Sequence, residues 1–170
     1  MSTQQAEKSK ILNANQIAQK VRRMAFEIYE NNFKEKHIVF AGIDGQGYEF
    51  AKLLGVQMSE ISKVKPVIIK VTLDKASPQQ SEVSVDCGEN ELHNKVIVLV
   101  DDVLNTGRTL AYGMKPFLNS EVKKIEVAVL VNRSHTTFPI LPTYTGHAFT
   151  TTLNDHVEVV LGKNGAVYLH

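Results

Sequence analysis

Lys95-Val-Ile-Val-Leu-Val-Asp-Asp-Val-Leu-Asn-Thr-Gly-Arg-Thr-Leu-Ala111 is the stretch on which the reading of this chain turns. Five apolar residues, Val96 to Val100, suit a strand buried on both faces of a parallel sheet. Asp101 and Asp102 follow, then Val103, Leu104 and Asn105, then Thr106-Gly107-Arg108-Thr109, and a helical pattern resumes at Leu110. In an open α/β sheet, ligands bind outside the carboxyl ends of the strands. A strand that ends in two acids and turns through a hydroxyl-rich glycine loop therefore reads as a binding site. Thr106, Gly107 and Thr109 offer hydroxyls and backbone N–H groups at a helix start, where dipole and unpaired donors favour a phosphate. Gly107 allows close backbone approach or a positive φ. Asp101 and Asp102 are acceptors, unsuited to that phosphate but suited to sugar hydroxyls or to the waters around a magnesium ion. Phosphate at one end and a diol at the other describe a phosphorylated ribose. The plainer alternative is a buried strand capped by a polar turn.

Composition sets mild bounds. A chain of 170 residues suits one domain with a real core, spanning 1–170 with the polar residues 1–9 frayed. The net charge of +1 gives no bulk electrostatic case for nucleic acid or a membrane. Cys87 is the single cysteine and has no partner for an internal disulfide. With no signal peptide and no apolar run of about 20 residues, a reducing cytoplasm fits best.

Outward from the central stretch, the pattern alternates strands and helices. Ile17, Val21, Met24, Ala25 and Ile28 form one apolar stripe of a helix starting near Asn13 or Asn15, and Asn13 with Gln16 has the spacing of a capping box. Arg22 and Arg23 lie off the stripe, on a solvated face. His37 to Ala41 reads as a strand running into Gly42-Ile43-Asp44-Gly45-Gln46-Gly47, and Tyr48 to Met58 as a helix. The glycine order does not match the dinucleotide fingerprint. Val64 to Leu73 is β-branched and strand-like, Asp74 to Gln80 is a turn, and Ser81 to Val85 alternates as the return strand of a hairpin. Gly88 to Asn94 reads as a turn. Leu110 to Leu118 continues the central helix irregularly because of Gly113 and Pro116. Ile125 to Val131 is a buried strand, Asn132 to Ile140 a loop, and Thr143 to Phe149, Val157 to Leu161 and Ala166 to Leu169 are strand-like. The fold class is α/β, a mainly parallel central sheet flanked by helices with added β hairpins.

Val96 to Thr109 resembles the phosphoribosyl-diphosphate motif of the type I phosphoribosyltransferases: a hydrophobic strand, two acids, two apolar residues, a variable residue, then Thr-Gly-Arg/Lys-Thr. Ile11 to Asn32, the order of elements, and Leu130-Val-Asn-Arg-Ser-His-Thr-Thr-Phe-Pro-Ile140 narrow the likeness to the bifunctional pyrimidine-operon attenuators that are also uracil phosphoribosyltransferases. The resemblance implies a type I phosphoribosyltransferase fold, magnesium, and transfer of ribose 5-phosphate from phosphoribosyl diphosphate to a nucleobase such as uracil. It implies a homodimer or homotetramer, and messenger RNA as a further partner. Asp101 and Asp102 are then the catalytic pair and, through water, the metal partners. Val103, Leu104, Asn105, Thr106, Gly107, Arg108 and Thr109 complete the substrate-binding segment. Asp44, Gly45, Gln46 and Gly47 fall in the pyrophosphate loop, and Arg133 and His135 in a loop near the base or subunit contact. The region from Val64 to Asn94 corresponds to the flap over the reacting carbon, which keeps water from an oxocarbenium-like centre, the plainer alternative being a surface hairpin.

The departures from that pattern are specific. Asp44-Gly45-Gln46 stands where the subfamily carries Lys-Thr-Arg, and a carboxylate there repels a diphosphate unless magnesium lies between. Leu73-Asp74-Lys75-Ala76 is a poor copy of the flap string Tyr-Arg-Asp-Asp. Phe26, Thr136 and Leu141 replace a histidine and two arginines of the basic surface, which counts against RNA regulation. Asn105 stands where the purine-salvage branch has a general-base aspartate, which points away from hypoxanthine and guanine. Arg108 either pairs with phosphate or faces outward, and His135 either meets the base or orders its loop. Besides the enzyme, two readings stay open: a non-catalytic nucleotide sensor, favoured by Asp44-Gly45-Gln46, and an RNA-binding attenuator.

Overall fold

A computed structural model of the chain describes residues 8–77 and 82–170. Its centre is a six-stranded sheet containing β2 (His37–Ile43), β3 (Lys65–Thr72), β4 (Ser84–Val85), β5 (Val96–Leu104), β6 (Lys124–Asn132) and β7 (Tyr144–Ala148). The order is β4-β3-β2-β5-β6-β7, parallel except for the short antiparallel β4 at one edge. Val96, Ile97, Val98, Leu99 and Val100 are all buried, as a strand covered on both faces requires.

Helices α1 (Ala14–Asn31) and α2 (Gln46–Ile61) cover one face, where Met24, Ile28, Phe50 and Leu54 meet Phe40, Val98 and Val100. The other face carries α3 (Glu89–Leu92), α4 (Arg108–Gly113) and α5 (Lys115–Leu118), with Leu92, Leu110 and Phe117 packed on Val39, Ile97 and Leu99. The chain runs outward from β2 through β3 to β4, then returns to the centre at β5 and proceeds through β6 to β7. Connections leave β2 and β5 toward opposite faces, so a crevice opens beyond their carboxyl ends. The loops after His37–Ile43 and after Val96–Leu104 both border it.

A second, antiparallel sheet joins the two ends of the described chain. β1 (Ser9–Leu12) pairs with β9 (Ala166–Leu169), which pairs with β8 (Val157–Val160). Val157, Val159 and Val167 face the first core, and Val103 of β5 packs against it. This sheet stands as a wall over the crevice.

Several expectations need correction. Ser9 belongs to a strand rather than a frayed end, because its backbone pairs with Leu169. The central strand continues through Asp101 to Leu104, paired with β6, so the turn begins at Asn105 rather than at the acids. Leu110 to Leu118 is two short helices, the first starting at Arg108, with Pro116 in the opening turn of the second, where its missing N–H costs nothing. Thr143 to Phe149 supplies a parallel edge strand of the main sheet rather than an added hairpin. Gly88 to Asn94 contains one helical turn. Of the return strand expected over 81–85, Ser84 and Val85 pair with β3, while residues 1–7 and 78–81 lie outside the described residues.

Candidate active site

The crevice is a cleft of about 490 Å³. One side is the continuous run Asp101 to Leu110, the other is His156 to Glu158 and Val159, and Lys75 closes one end. All nine residues expected from 101 to 109 to form the substrate segment therefore share one hollow.

Gly107 takes φ +86°, a left-handed conformation that a side chain resists. A Cβ there would also press within 3.1 Å of Ile140. This reversal turns the Thr106–Thr109 backbone inward on itself. Among the described residues, the amides of Thr106, Gly107 and Thr109 have no hydrogen-bond acceptor. The Thr106 carbonyl is held by the amides of Thr137 and Phe138, at 2.9 and 3.0 Å, which anchors the turn from behind. Successive inward N–H groups in such a turn form a concavity for an anion. Among the described residues three amides of the turn are left to donate, while the Arg108 N–H is taken by Thr106 Oγ1.

Asp101 is almost wholly buried. Its Oδ1 accepts the Asp102 N–H at 2.9 Å and lies 3.6 Å from Lys75 Nζ. Burial pushes its carboxyl well above the usual carboxylate range and the Asp102 charge adds to the rise, while Lys75 acts in the opposite direction. Gly47 sets the depth of this position, since a Cβ on it would stand 2.9 Å from Asp101 Oδ1 and 3.0 Å from the Val100 carbonyl. Asp102 is half-buried on the cleft side.

The remaining expected residues sit differently. Asp44, Gly45 and Gln46 do not line the cleft. Asp44 is 3.7 Å from Lys70 Nζ, and Gln46 Oε1 accepts the Leu161 N–H at 3.1 Å, tying α2 to the end of β8. Only Gly47 of that loop reaches the site, by touching Asp101. Arg108 turns to the segment before the undescribed residues, donating to the Ser77 carbonyl at 2.8 Å and lying over the Tyr112 ring. His135 meets the Thr151 carbonyl through Nε2, a bond that orders its loop. Arg133 is buried and spends its guanidinium on four acceptors: Thr151 Oγ1, the Thr152 and Asp155 carbonyls, and Asn105 Oδ1. Arg23, read as solvated, donates to the Thr145 and Gly146 carbonyls and braces β7.

Sequence reasoning missed the β8 wall. Val157 and Val159 alternate inward while His156 and Glu158 fall on the opposite register, and Glu158 pairs with Lys8 at 2.6 Å and with His170 at 3.6 Å. That alternation was visible in the sequence. Nothing local to it indicated that the strand would line the same cleft as Asp102.

The phosphoribosyl transferase domain model matches residues 7–157, most of the chain. The chain belongs to the phosphoribosyl transferase domain family. Relatives of this phosphoribosyltransferase include the bifunctional protein PyrR of Limosilactobacillus reuteri, 32% identical over 160 residues, covering 89% of this chain and 90% of the relative. PyrR of Fusobacterium nucleatum is 30% identical over 170 residues, covering 94% and 96%. Among solved structures, the hypoxanthine phosphoribosyltransferase of Trypanosoma cruzi superposes with a TM-score of 0.74 over 88% of this chain and 84% of its own, at 12% identity. A hypoxanthine-guanine phosphoribosyltransferase of Bacillus anthracis gives 0.69 over 82% and 81%, at 17%. At those identities the likeness is one of fold.

Proposed function

We propose that this phosphoribosyltransferase moves ribose 5-phosphate from phosphoribosyl diphosphate to a pyrimidine, uracil first, and releases pyrophosphate. The observation that carries the reading is the Thr106–Thr109 turn, whose Thr106, Gly107 and Thr109 amides have no acceptor among the described residues, in one cleft with Asp101 and Asp102. The 5-phosphate rests on that turn. The two carboxylates, one turn-length away along β5, take the ribose hydroxyls. A ring nitrogen of the base then attacks C1 as the bond from C1 to the diphosphate oxygen breaks. The electron pair leaves with pyrophosphate, and the ring proton goes to solvent or to the departing group. Positioning and negative charge beneath a cationic ribose are the protein's contribution.

Magnesium fits this donor set as an ion carried by the substrate. Asp101 and Asp102 border an open cleft, and such an ion keeps its waters and phosphate oxygens while using one or two carboxylates. No group of three or more His, Cys, Asp and Glu suited to a metal occurs among the described residues. When bound, the ion would offset the charge of the leaving diphosphate; Asp102, with Asp101 behind it, would hold it through water.

Uracil is supported by the segment from Leu130 to Ile140 and by Asn105, which has no basic atom to accept a proton from a purine. Assembly as a homodimer or homotetramer belongs to the same proposal, with sedimentation as its check. A second reading, a non-catalytic nucleotide sensor, is favoured by Asp44-Gly45-Gln46, where Asp44 brings a carboxylate and the Lys70 cation beside it is paired with that carboxylate. Pyrophosphate release across uracil, orotate, hypoxanthine and xanthine separates the two. Release with uracil above the others is expected. Nucleotide binding without release from any base would establish the sensor, and a purine preference would overturn the choice of base.

A further inference from the structure

At the end of the main sheet where β2 and β3 begin, opposite the cleft, lies a second groove of about 430 Å³. Two turns form it: residues 32–36, which join α1 to β2, and residues 62–64, which join α2 to β3. The Lys65 N–H donates to the Lys36 carbonyl at 2.9 Å, and His37 stands opposite Lys65 in the parallel register, about 4.8 Å across. Each turn is fastened from within. The buried Asn32 donates through Nδ2 to the Ile28 carbonyl at 2.9 Å and to Glu126 Oε1 at 2.7 Å. Ser62 Oγ donates to the Met58 carbonyl at 2.8 Å and accepts the Val64 N–H at 3.2 Å. None of the residues lining this groove lines the cleft at Asp101.

Four exposed lysines line it, Lys34 and Lys36 from one turn and Lys63 and Lys65 from the other side. No ion pair among the described residues uses any of the four. Glu35 is the one carboxylate among the lining residues, and Lys123 already holds it. Like charges gathered in a concavity focus a positive potential into it and favour an anion. Phe33 lines the same groove at 60% exposure, with Lys34 Nζ 5.8 Å from its ring centroid. An exposed phenylalanine alone is ordinary, and so is an exposed lysine. Here one open ring and four unpaired ammonium groups share a single hollow with firm walls.

We infer that this groove is a second ligand site, which takes a nucleoside di- or triphosphate. The base stacks on Phe33, and the phosphate chain lies across Lys34, Lys36, Lys63 and Lys65. Lysine suits that chain as a flexible point charge that needs no fixed phosphate geometry. A single-stranded nucleic acid would use successive aromatic platforms along a continuous basic track. Tyr29, the other ring in the groove, is half-buried against the core, and farther along the sheet end Lys123 and Lys124 are held by Glu35 and Glu126. The site therefore accommodates one base and one phosphate chain. The inference does not depend on the transfer reading, because the two hollows share no residue.

The test titrates the 15N-labelled full chain with ATP and, separately, with tripolyphosphate, both in EDTA so that the ammonium groups meet the phosphates directly. Amide shifts assign each binding event to the groove or to the cleft. Both probes should give saturable shifts at Phe33, Lys34, Lys36, Lys63 and Lys65, with ATP tighter by about fivefold or more through stacking on one ring. Phe33→Ala should remove that advantage and leave tripolyphosphate unchanged. Lys63→Glu should weaken both by on the order of tenfold, with ribose 5-phosphate shifts at Thr106–Thr109 unaffected. Both variants alter exposed side chains, and the comparison of ATP with tripolyphosphate needs no variant at all. Shifts confined to Thr106–Thr109 overturn the inference. So does equal affinity for ATP and tripolyphosphate, which leaves no recognition of the base. Binding lost at about 0.15 M salt would be diffuse attraction only and overturns it as well. A single-stranded oligonucleotide that displaces ATP from the groove with far higher affinity would overturn the choice of ligand.

Discussion

At the scale of single residues, Asp101 works against the stability of the chain that holds it. Burial raises its carboxyl pKa above the unfolded value, so the folded state binds that proton more readily. The contribution of this group is therefore favourable at low pH and is lost as pH rises through the raised value. Asp101→Asn retains an oxygen for the Asp102 N–H and removes the penalty. Its Tm should exceed that of the wild type by a gap that widens from pH 4 to pH 8, while transfer falls on the order of 100-fold through lost positioning of the ribose. A gap that narrows with rising pH would reverse the assignment. Gly107 offers a second residue-level check. Gly107→Ala combines a left-handed backbone with a Cβ 3.1 Å from Ile140, and should cost about 1–3 kcal/mol in denaturant unfolding. It should also weaken ribose 5-phosphate binding. Aspartates, glycine and threonines at this spacing were legible because each residue type has few alternative uses there. Arg133 was not: a guanidinium in a loop reads equally as a ligand contact or as a brace, and the deciding acceptors come from residues 105 and 151–155.

At the scale of elements, the hydrophobic period carried most of the fold. The stripe on α1 is buried at all five expected positions, and Asn13 and Gln16 form a reciprocal capping box with 2.9 Å bonds in both directions. Asn13→Ala should lower stability by about 1 kcal/mol in thermal or urea unfolding, with pyrophosphate release unchanged, because neither Asn13 nor Gln16 lines the cleft. The buried strands β2, β5 and β6 were equally plain, being mostly β-branched and aliphatic runs, with Phe40 in β2 and Glu126 in β6 among the exceptions. What the local pattern did not reveal is how far a strand continues once polar residues begin. Asp101 and Asp102 look like the end of a strand, yet backbone pairing with Val129 and Val131 carries β5 on to Leu104. The acids therefore sit on a rigid strand rather than on a loop, which fixes their orientation better than the sequence suggested.

At the scale of the whole molecule, the site depends on the meeting of the chain's two ends. β1 and β9 pair across nearly the full length of the sequence and hold β8 against the cleft, with Lys8 joined to Glu158. A short strand whose partner lies so far away leaves little trace in the local sequence, which is why Ser9 read as a frayed end. Removing residues 166–170 deletes β9 and leaves both β8 and β1 without a strand partner among the described residues. The truncated chain should keep the main sheet by circular dichroism and keep ribose 5-phosphate binding within a few-fold, about 1 kcal/mol, but lose discrimination among bases. Equal loss of both functions would mean that the wall is part of the core rather than of the base site.

The central claim is that the turn from Thr106 to Thr109 is the seat of the sugar phosphate. Titration of the 15N-labelled chain with ribose 5-phosphate, followed through backbone amide chemical shifts, tests it most directly. The account predicts saturable shifts largest at Thr106, Gly107 and Thr109, whose amides have no acceptor among the described residues, with smaller ones at Asp102. Shifts centred elsewhere, on Gly45 and Gln46 or on the outer face of the molecule, would contradict it.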